Sequence, residues 1–135
     1  MSKHPLTLAL ANTDLAALAD ALDEGIVFHS PVLATTGNEL SGRDLVMRIF
    51  QHAVAGAGVP RNVAEFVGED DRYVVAYDAT IGAHSLNVAF VCTDNAAGKI
   101  VDVQVLMRPL PVVELFRDHM KKDFPEIPES YWSLT

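Results

Sequence analysis

The stretch YVVAYDATIGAHSLNVAFVCTDNAAGKIVDVQVLM, residues 73–107, decides the fold class. Apolar residues alternate in it with small or polar ones at a period of two, which is typical of half-buried β-strands. Residues 82–85 and 94–99 interrupt the pattern with turn-forming Gly, Asn and Asp, so we expect antiparallel neighbours. The predicted strands are, in order, Asn62–Gly68, Tyr73–Ile81, Leu86–Thr93 and Ile100–Met107.

Upstream of these strands the apolar spacing changes to that of helices. We predict helices over about residues 5–12 and 14–22, with Asp14 as the N-cap of the second. A short strand, Ile26–Ser30, follows and is ended by Pro31, and residues 35–40 are predicted to be a polar loop.

Two further helices complete the predicted elements. Ser41-Gly42-Arg43-Asp44 matches a capping box, so a third helix is expected to begin there and to end at Gly56-Ala57-Gly58. After Pro109 and Pro111 a terminal helix is expected to run to about Lys122. Helices followed by an antiparallel meander predict one α+β domain over residues 1–135, in which a curved sheet wraps the helices and leaves a cone-shaped cavity.

Composition excludes several classes of function. The formal net charge is −8, so the chain is expected to repel nucleic acid. One cysteine, Cys92, cannot form an internal disulfide, which favours a cytoplasmic location. No apolar run is long enough to cross a membrane. His4, His52 and His119 have no metal-ligand spacing, and we expect neither a metal nor a cofactor.

The order of elements resembles the nuclear transport factor 2-like (SnoaL-like) superfamily along nearly the whole chain. The resemblance rests on Val27-Phe28-His29-Ser30-Pro31, on the helix start Ser41-Gly42-Arg43 and on the closing strand around Gly98-Lys99-Ile100-Val101. That superfamily includes isomerases, dehydratases, epoxide hydrolases and polyketide cyclases, as well as members that only bind or dimerise. The resemblance therefore implies a cone-shaped α+β barrel and leaves the activity open.

Ketosteroid isomerases of that superfamily provide a residue-by-residue check. Their helical tyrosine aligns with Leu6, their base aspartate with Ser30 and their protonated aspartate with Phe90. None of the three side chains in this sequence can serve as the carboxylate base or as the acid that stabilises an enolate. Steroid-type isomerisation is therefore not expected.

The same alignment indicates which strand residues face inward, since alternate side chains lie on opposite faces. The expected inward set from the last three strands is Tyr73, Val75, Tyr77, Ala79, Leu86, Val88, Phe90, Cys92, Val101, Val103, Val105 and Met107. The expected outer set is Asp78, Thr80, Asn87, Thr93, Asp102, Gln104 and Arg108. The outer set holds the residue types of an epoxide hydrolase site, but on the opposite face. In dimeric members this outer face is the subunit interface, which predicts a homodimer.

The leading hypothesis is a protein whose inner pocket binds a small apolar organic molecule. Its predicted ligand contacts are Phe28, Ser30, Tyr73, Tyr77, Phe90, Val103, Val105 and Met107. A second hypothesis is a cofactor-independent isomerase, dehydratase or cyclase, with His29 or His84 as the acid-base group and Ser30 or Tyr77 orienting the substrate.

Each of these candidate residues also has a structural interpretation. His29 and His84 fit exposed positions, and Ser30 fits a turn cap. Tyr73, Tyr77 and Cys92 fit the packed core. A third hypothesis is accordingly a dimerisation module without a ligand.

Overall fold

A computed structural model describes residues 4–33, 39–57 and 60–132. Its elements are α1 (Pro5–Asn12), α2 (Leu15–Ala21), β1 (Leu22–His29), β2 (Leu40–Ser41), α3 (Arg43–Ala57), β3 (Arg61–Val67), β4 (Arg72–Ile81), β5 (His84–Asp94), β6 (Ile100–Arg108), α4 (Leu110–Asp123) and a 3-10 turn (Glu129–Tyr131). The predicted α+β class is confirmed, and so is the helix-then-meander order.

Within the described residues, six strands form one mixed sheet in the order β2-β1-β6-β5-β4-β3. The β1–β6 pair is parallel and the other pairs are antiparallel. The sheet ends at β2 and β3, because these two strands do not pair with each other. The pairings thus give an open sheet, and the strongly curved, cone-shaped barrel that the resemblance implied is not found in the described residues.

The first two helices begin at side-chain caps. His4 Nδ1 accepts a hydrogen bond from the Leu6 amide at 3.0 Å, and the Asp14 carboxylate accepts one from Ala17 at 3.0 Å. Thr13 ends α1 in the left-handed conformation, with φ of 50°. The predicted break between the two helices and the N-cap at Asp14 are confirmed.

The predicted capping box at Ser41 is wrong. Ser41 pairs with Val27 as part of β2, and Gly42 precedes α3, its carbonyl accepting a hydrogen bond from Val46 N–H at 3.1 Å. Gly42 has φ of +98°, a conformation that a side chain disfavours, so a glycine suits the sharp change from strand to helix. Of the predicted loop at 35–40, residues 35–38 lie outside the described residues, and Leu40 belongs to β2.

Burial along β4, β5 and β6 follows the predicted alternation, apart from the start of β6. Ile100 is fully buried there and Val101 only half-buried, because the register with β5 shifts between Thr93 and Asp94. From Val103 onward the inward parity matches the prediction.

The C-terminal segment adds core residues that periodicity did not indicate. Phe124, Ile127 and Trp132 lie beyond α4 in a segment interrupted by two prolines, yet all three are buried. They join the inner sheet face and the helices in one hydrophobic core.

Candidate functional site

The predicted site is the space between the helices and the inner face of the sheet. A cavity there has a volume of about 30 Å³. It is lined by Leu10, Leu18, Phe50, Ala53, Val54, Pro60, Tyr77, Ala79, Leu86, Val88, Met107 and Phe116. Such a volume is about that of one water molecule, whereas an engineered cavity that binds benzene measures roughly 150 Å³. The structure therefore fills most of this space with side chains.

Aromatic rings account for much of the filling. Phe50 contacts Phe28 edge-on at 6.0 Å and Phe90 at 5.6 Å between ring centroids, and Tyr77 contacts Phe90 at 5.5 Å. Edge-to-face pairs at these distances are favourable beyond the area that they bury. Phe28 and Phe90 thus stabilise the core at the positions where ligand contacts were predicted.

Tyr77 differs from the other inner residues because its hydroxyl forms no hydrogen bond with the residues that the structure describes. The ring is half-buried and lines the small cavity. Desolvation raises the pKa of its phenol above the usual range, so the hydroxyl stays protonated and can donate. Of the predicted ligand contacts, Tyr77 is the one with an unused donor beside the cavity.

Tyr73, by contrast, belongs to a polar cluster that fixes α1 to the sheet. Its hydroxyl donates to Asp94 Oδ1 at 3.1 Å, and Asp94 Oδ2 contacts His4 Nε2 at 2.7 Å. The His4 ring stacks on Tyr73 with 4.1 Å between centroids. Glu65 on β3 accepts hydrogen bonds from the His4 amide, at 2.8 Å, and from the Thr7 hydroxyl. Tyr73 therefore has a structural role, because its hydroxyl and ring are used in contacts with Asp94 and His4.

Cys92 lies beside this cluster and is fully buried. Burial raises the pKa of its thiol to about 12, with Asp94 and Asp102 adding to the shift against a lowering hydrogen bond from Tyr73. A thiol that stays protonated is a weak nucleophile. The geometry agrees with a packing role for this residue.

His29 and Ser30 lie at the end of β1, with different contacts. His29 Nε2 is 2.9 Å from Asp102 Oδ2, and its Nδ1 is 3.5 Å from Glu39 Oε1. Ser30 Oγ accepts from the Val32 amide at 3.3 Å, which is a turn contact. In the β1–β6 pairing Phe28 lies beside Val103 and His29 beside Gln104, so His29 and Asp102 share the outer face.

His84 starts β5 beside Ile81, at the hairpin after β4, and is exposed. The candidates for acid-base chemistry are therefore separated: His29 lies on the outer face, Tyr77 beside the inner cavity and His84 at a hairpin. The enzyme hypothesis paired His29 or His84 with Tyr77 or Ser30, and in the structure neither histidine lines the cavity beside Tyr77, while Ser30 is used in its turn contact with Val32.

The outer face carries a larger concavity than the interior. A groove of about 360 Å³ crosses β3, β4, β5 and β6. Its floor is a row of small side chains in register, Ala64, Ala76 and Ala89, and Leu106 continues that row on β6. Phe66 and Leu106 flank it and are 59% and 57% exposed. The groove was not predicted from the sequence, because its floor takes one alanine from each of three strands and depends on their register.

A polar row borders the alanine floor. Asp78 accepts hydrogen bonds from Asn62 at 2.9 Å and from Asn87 at 2.8 Å, and Arg108 donates to the Asn87 carbonyl oxygen at 3.1 Å. The amide from Asn62, followed by that from Asn87, lowers the pKa of Asp78. An anion on β4 and a cation on β6 are therefore linked through Asn87 at the edge of an apolar groove.

Among residues 4–33, 39–57 and 60–132, no three His, Cys, Asp or Glu side chains are grouped so that they could hold a metal ion. No helix in the described part of the chain has the length and hydrophobicity needed to span a bilayer.

Helices before and after a mixed sheet with this strand order define an α+β protein of the cystatin-like class. Within that class the fold is nuclear transport factor 2-like, as solved structures show, and the fold implied by the sequence resemblance is confirmed at this level. Neither a protein-family model nor a curated relative matches the sequence.

Three solved structures illustrate the similarity. An uncharacterized protein with a cystatin-like fold from Silicibacter pomeroyi DSS-3 has a TM-score of 0.73 at 22% identity, covering 93% of this chain and 91% of its own. A steroid delta-isomerase from Pseudomonas aeruginosa has a TM-score of 0.70 at 21% identity, covering 89% and 90%. An NTF2-like protein of unknown function from Cytophaga hutchinsonii has a TM-score of 0.60 at 16% identity, covering 81% and 88%. At such identities the similarity concerns the fold.

Proposed function

We propose that this chain works as a homodimer that uses the outer face of its sheet to bind a second copy. The observation that carries the proposal is the contrast between an interior cavity of about 30 Å³ and an outer groove of about 360 Å³ flanked by exposed Phe66 and Leu106. Large apolar side chains grouped beside a groove mark an interaction surface.

The outer face is complementary to itself. A two-fold axis parallel to the strands, between β4 and β5, sets β6 of one protomer over β3 of its partner. Leu106 then lies over the partner's Ala64, where a small side chain leaves room for a large one. The same axis sets Arg108 over the partner's Arg61, which lies in the same row on β3, and the partner's Asp78, one strand further along, offsets that like charge.

Sedimentation equilibrium over a range of protein concentrations tests this proposal. We expect a reversible monomer–dimer equilibrium that shifts toward monomer in Leu106→Ser. A mass of one chain at every concentration would contradict it. Replacing Arg61 by glutamate tests the register, because it sets an opposite charge over the partner's Arg108 twice and should strengthen the dimer. Adding Arg108→Glu to Arg61→Glu should remove that gain.

A small apolar ligand inside the fold is a second candidate, favoured by Tyr77. Its unused hydroxyl could donate to one carbonyl or ether oxygen, and the surrounding cavity is apolar. The cavity would have to grow from about 30 Å³ to more than roughly 150 Å³, by movement of flexible side chains such as Met107 and by bending of the sheet into the cone predicted from the resemblance.

Thermal-shift measurements with steroids, terpenoids and aromatic polyketide-like compounds test the second candidate. A ligand of this site should stabilise the wild type, and Tyr77→Phe should reduce its affinity without lowering the melting temperature of the free protein. Stabilisation that is equal in Tyr77→Phe would assign the ligand to another surface, and no stabilisation by any compound would count against an interior site.

A further inference from the structure

A second polar cluster lies between α3 and α4 and shares no polar residue with the outer groove or the interior cavity. His52 on α3 contacts Asp123 at the end of α4, with 2.6 Å between Nε2 and Oδ2. Phe116, His119 and Asp123 follow at spacings of three and four residues, so they share one face of α4. The His52 ring lies between the rings of Phe116 and Phe124, at 6.3 and 5.4 Å.

The contact with Asp123 determines where His52 carries its proton. An ionised carboxylate can only accept, so Nε2 is the donor and Nδ1 of the neutral ring holds a lone pair. That Nδ1 is closed off from solvent and has no hydrogen-bond partner among the described residues. A buried polar atom without a partner is costly in a protein and calls for an explanation.

A cavity of about 200 Å³ adjoins this pair. Its lining consists of three apolar residues, Ala55, Ile81 and Phe116, and three polar ones, His52, His119 and Asp123. Both members of the pair offer acceptors, since Nδ1 is unpaired and the described contacts of Asp123 use one of its two oxygens. The cavity therefore has an apolar wall, and one of its lining residues, His52, holds an unused acceptor that is closed off from solvent.

We propose that this cavity is a binding site for a small aromatic alcohol, whose ring packs on Phe116 and whose hydroxyl donates to His52 Nδ1. The volume exceeds the roughly 150 Å³ that is sufficient for benzene, so a phenol-sized molecule fits. Asp123 holds the imidazole in the tautomer that accepts, as carboxylates do for histidines elsewhere. A small movement of the His52 or Phe116 ring gives the hydroxyl access to Nδ1. The site is separate from the proposed dimer interface and shares the Phe116 ring with the interior cavity beside Tyr77.

Phenol and toluene form a matched pair of probes, because a methyl group of similar size replaces the hydroxyl in toluene. Calorimetry with the wild type should give tighter binding for phenol, and His52→Phe should weaken phenol about two- to tenfold, the value of one hydrogen bond, while leaving toluene nearly unchanged. Equal binding of the two probes would overturn the role of His52, and failure of both to bind would overturn the site.

Side-chain nitrogen NMR of the wild type keeps the proposal testable if His52→Phe does not fold. Without phenol, the His52 resonances should show a protonated Nε2 and a bare Nδ1. Titration with phenol should move the Nδ1 resonance of His52 and leave those of exposed His84 in place. Equal movement of the two histidines, or a protonated Nδ1 in the free protein, would contradict the proposal.

Discussion

Replacing Leu106 by serine tests the proposed dimer quantitatively. Leu106 is 57% exposed in the protomer, so that fraction of its surface remains for a partner to cover. Complete burial of a leucine is worth about 1.5–3 kcal/mol, and 57% of it about 0.9–1.7 kcal/mol. A two-fold interface contains the residue twice, so the loss is about 2–3 kcal/mol and the dimer dissociation constant should rise about 30- to 150-fold.

Sedimentation equilibrium of wild type and variant measures that ratio directly. Leu8 on α1 provides the matched control, because it is 48% exposed but lies away from the outer sheet face. Leu8→Ser should leave the dissociation constant within about twofold, and Leu106→Ser should leave the unfolding free energy of the protomer within about 0.5 kcal/mol. Equal effects of the two serines on dimerisation, or a wild-type dimer indifferent to Leu106→Ser, would refute the assignment of the interface.

Three further predictions concern the buried cluster around Tyr73. Tyr73→Phe removes the hydrogen bond to Asp94 and should lower the unfolding free energy in urea by about 1.5–3 kcal/mol; an unchanged midpoint would show that the contact contributes nothing. Cys92 should resist Ellman's reagent at pH 8 in the native state and react at once in denaturant; rapid native labelling would contradict its burial. Alkali should destabilise the fold, because the unfolded chain releases the Cys92 proton near pH 9.0 and the native chain only near pH 12. Between these values the free energy of unfolding should fall by about 1.4 kcal/mol per pH unit. Cys92→Ala should flatten that slope, and an unaltered slope would contradict the raised pKa.

The strands from β4 to β6 could be predicted from the sequence because their information is local. Each has apolar side chains at a period of two and ends at a turn of a few residues, so hairpin pairing and face follow together. The exception at Ile100 comes from a register shift against Asp94, which depends on how two strands fit and leaves no mark in the alternation.

The polar contacts could not be predicted in the same way, since their partners are far apart in the chain. His4 meets Asp94 across 90 positions and His52 meets Asp123 across 71. The residue types were visible in the sequence, but their pairing depends on the strand order and on where α4 packs. The strand β2 was also missed, because two residues are too few to show a period.

The interior explains why an isomerase-like fold need not imply isomerase-like chemistry here. The positions that align with the tyrosine and the protonated aspartate of ketosteroid isomerases hold Leu6 and Phe90, and both are buried. A carboxyl group at such a position has to be desolvated, which lowers the stability of the fold and is tolerated in an enzyme that needs the group for its reaction. Leucine and phenylalanine stabilise the fold through the same burial. Packed apolar side chains at these positions therefore favour the stability of the fold over a reactive site in the interior. The outer sheet face keeps exposed apolar side chains, Phe66 and Leu106, beside its row of alanines, and the proposed dimer rests on this surface.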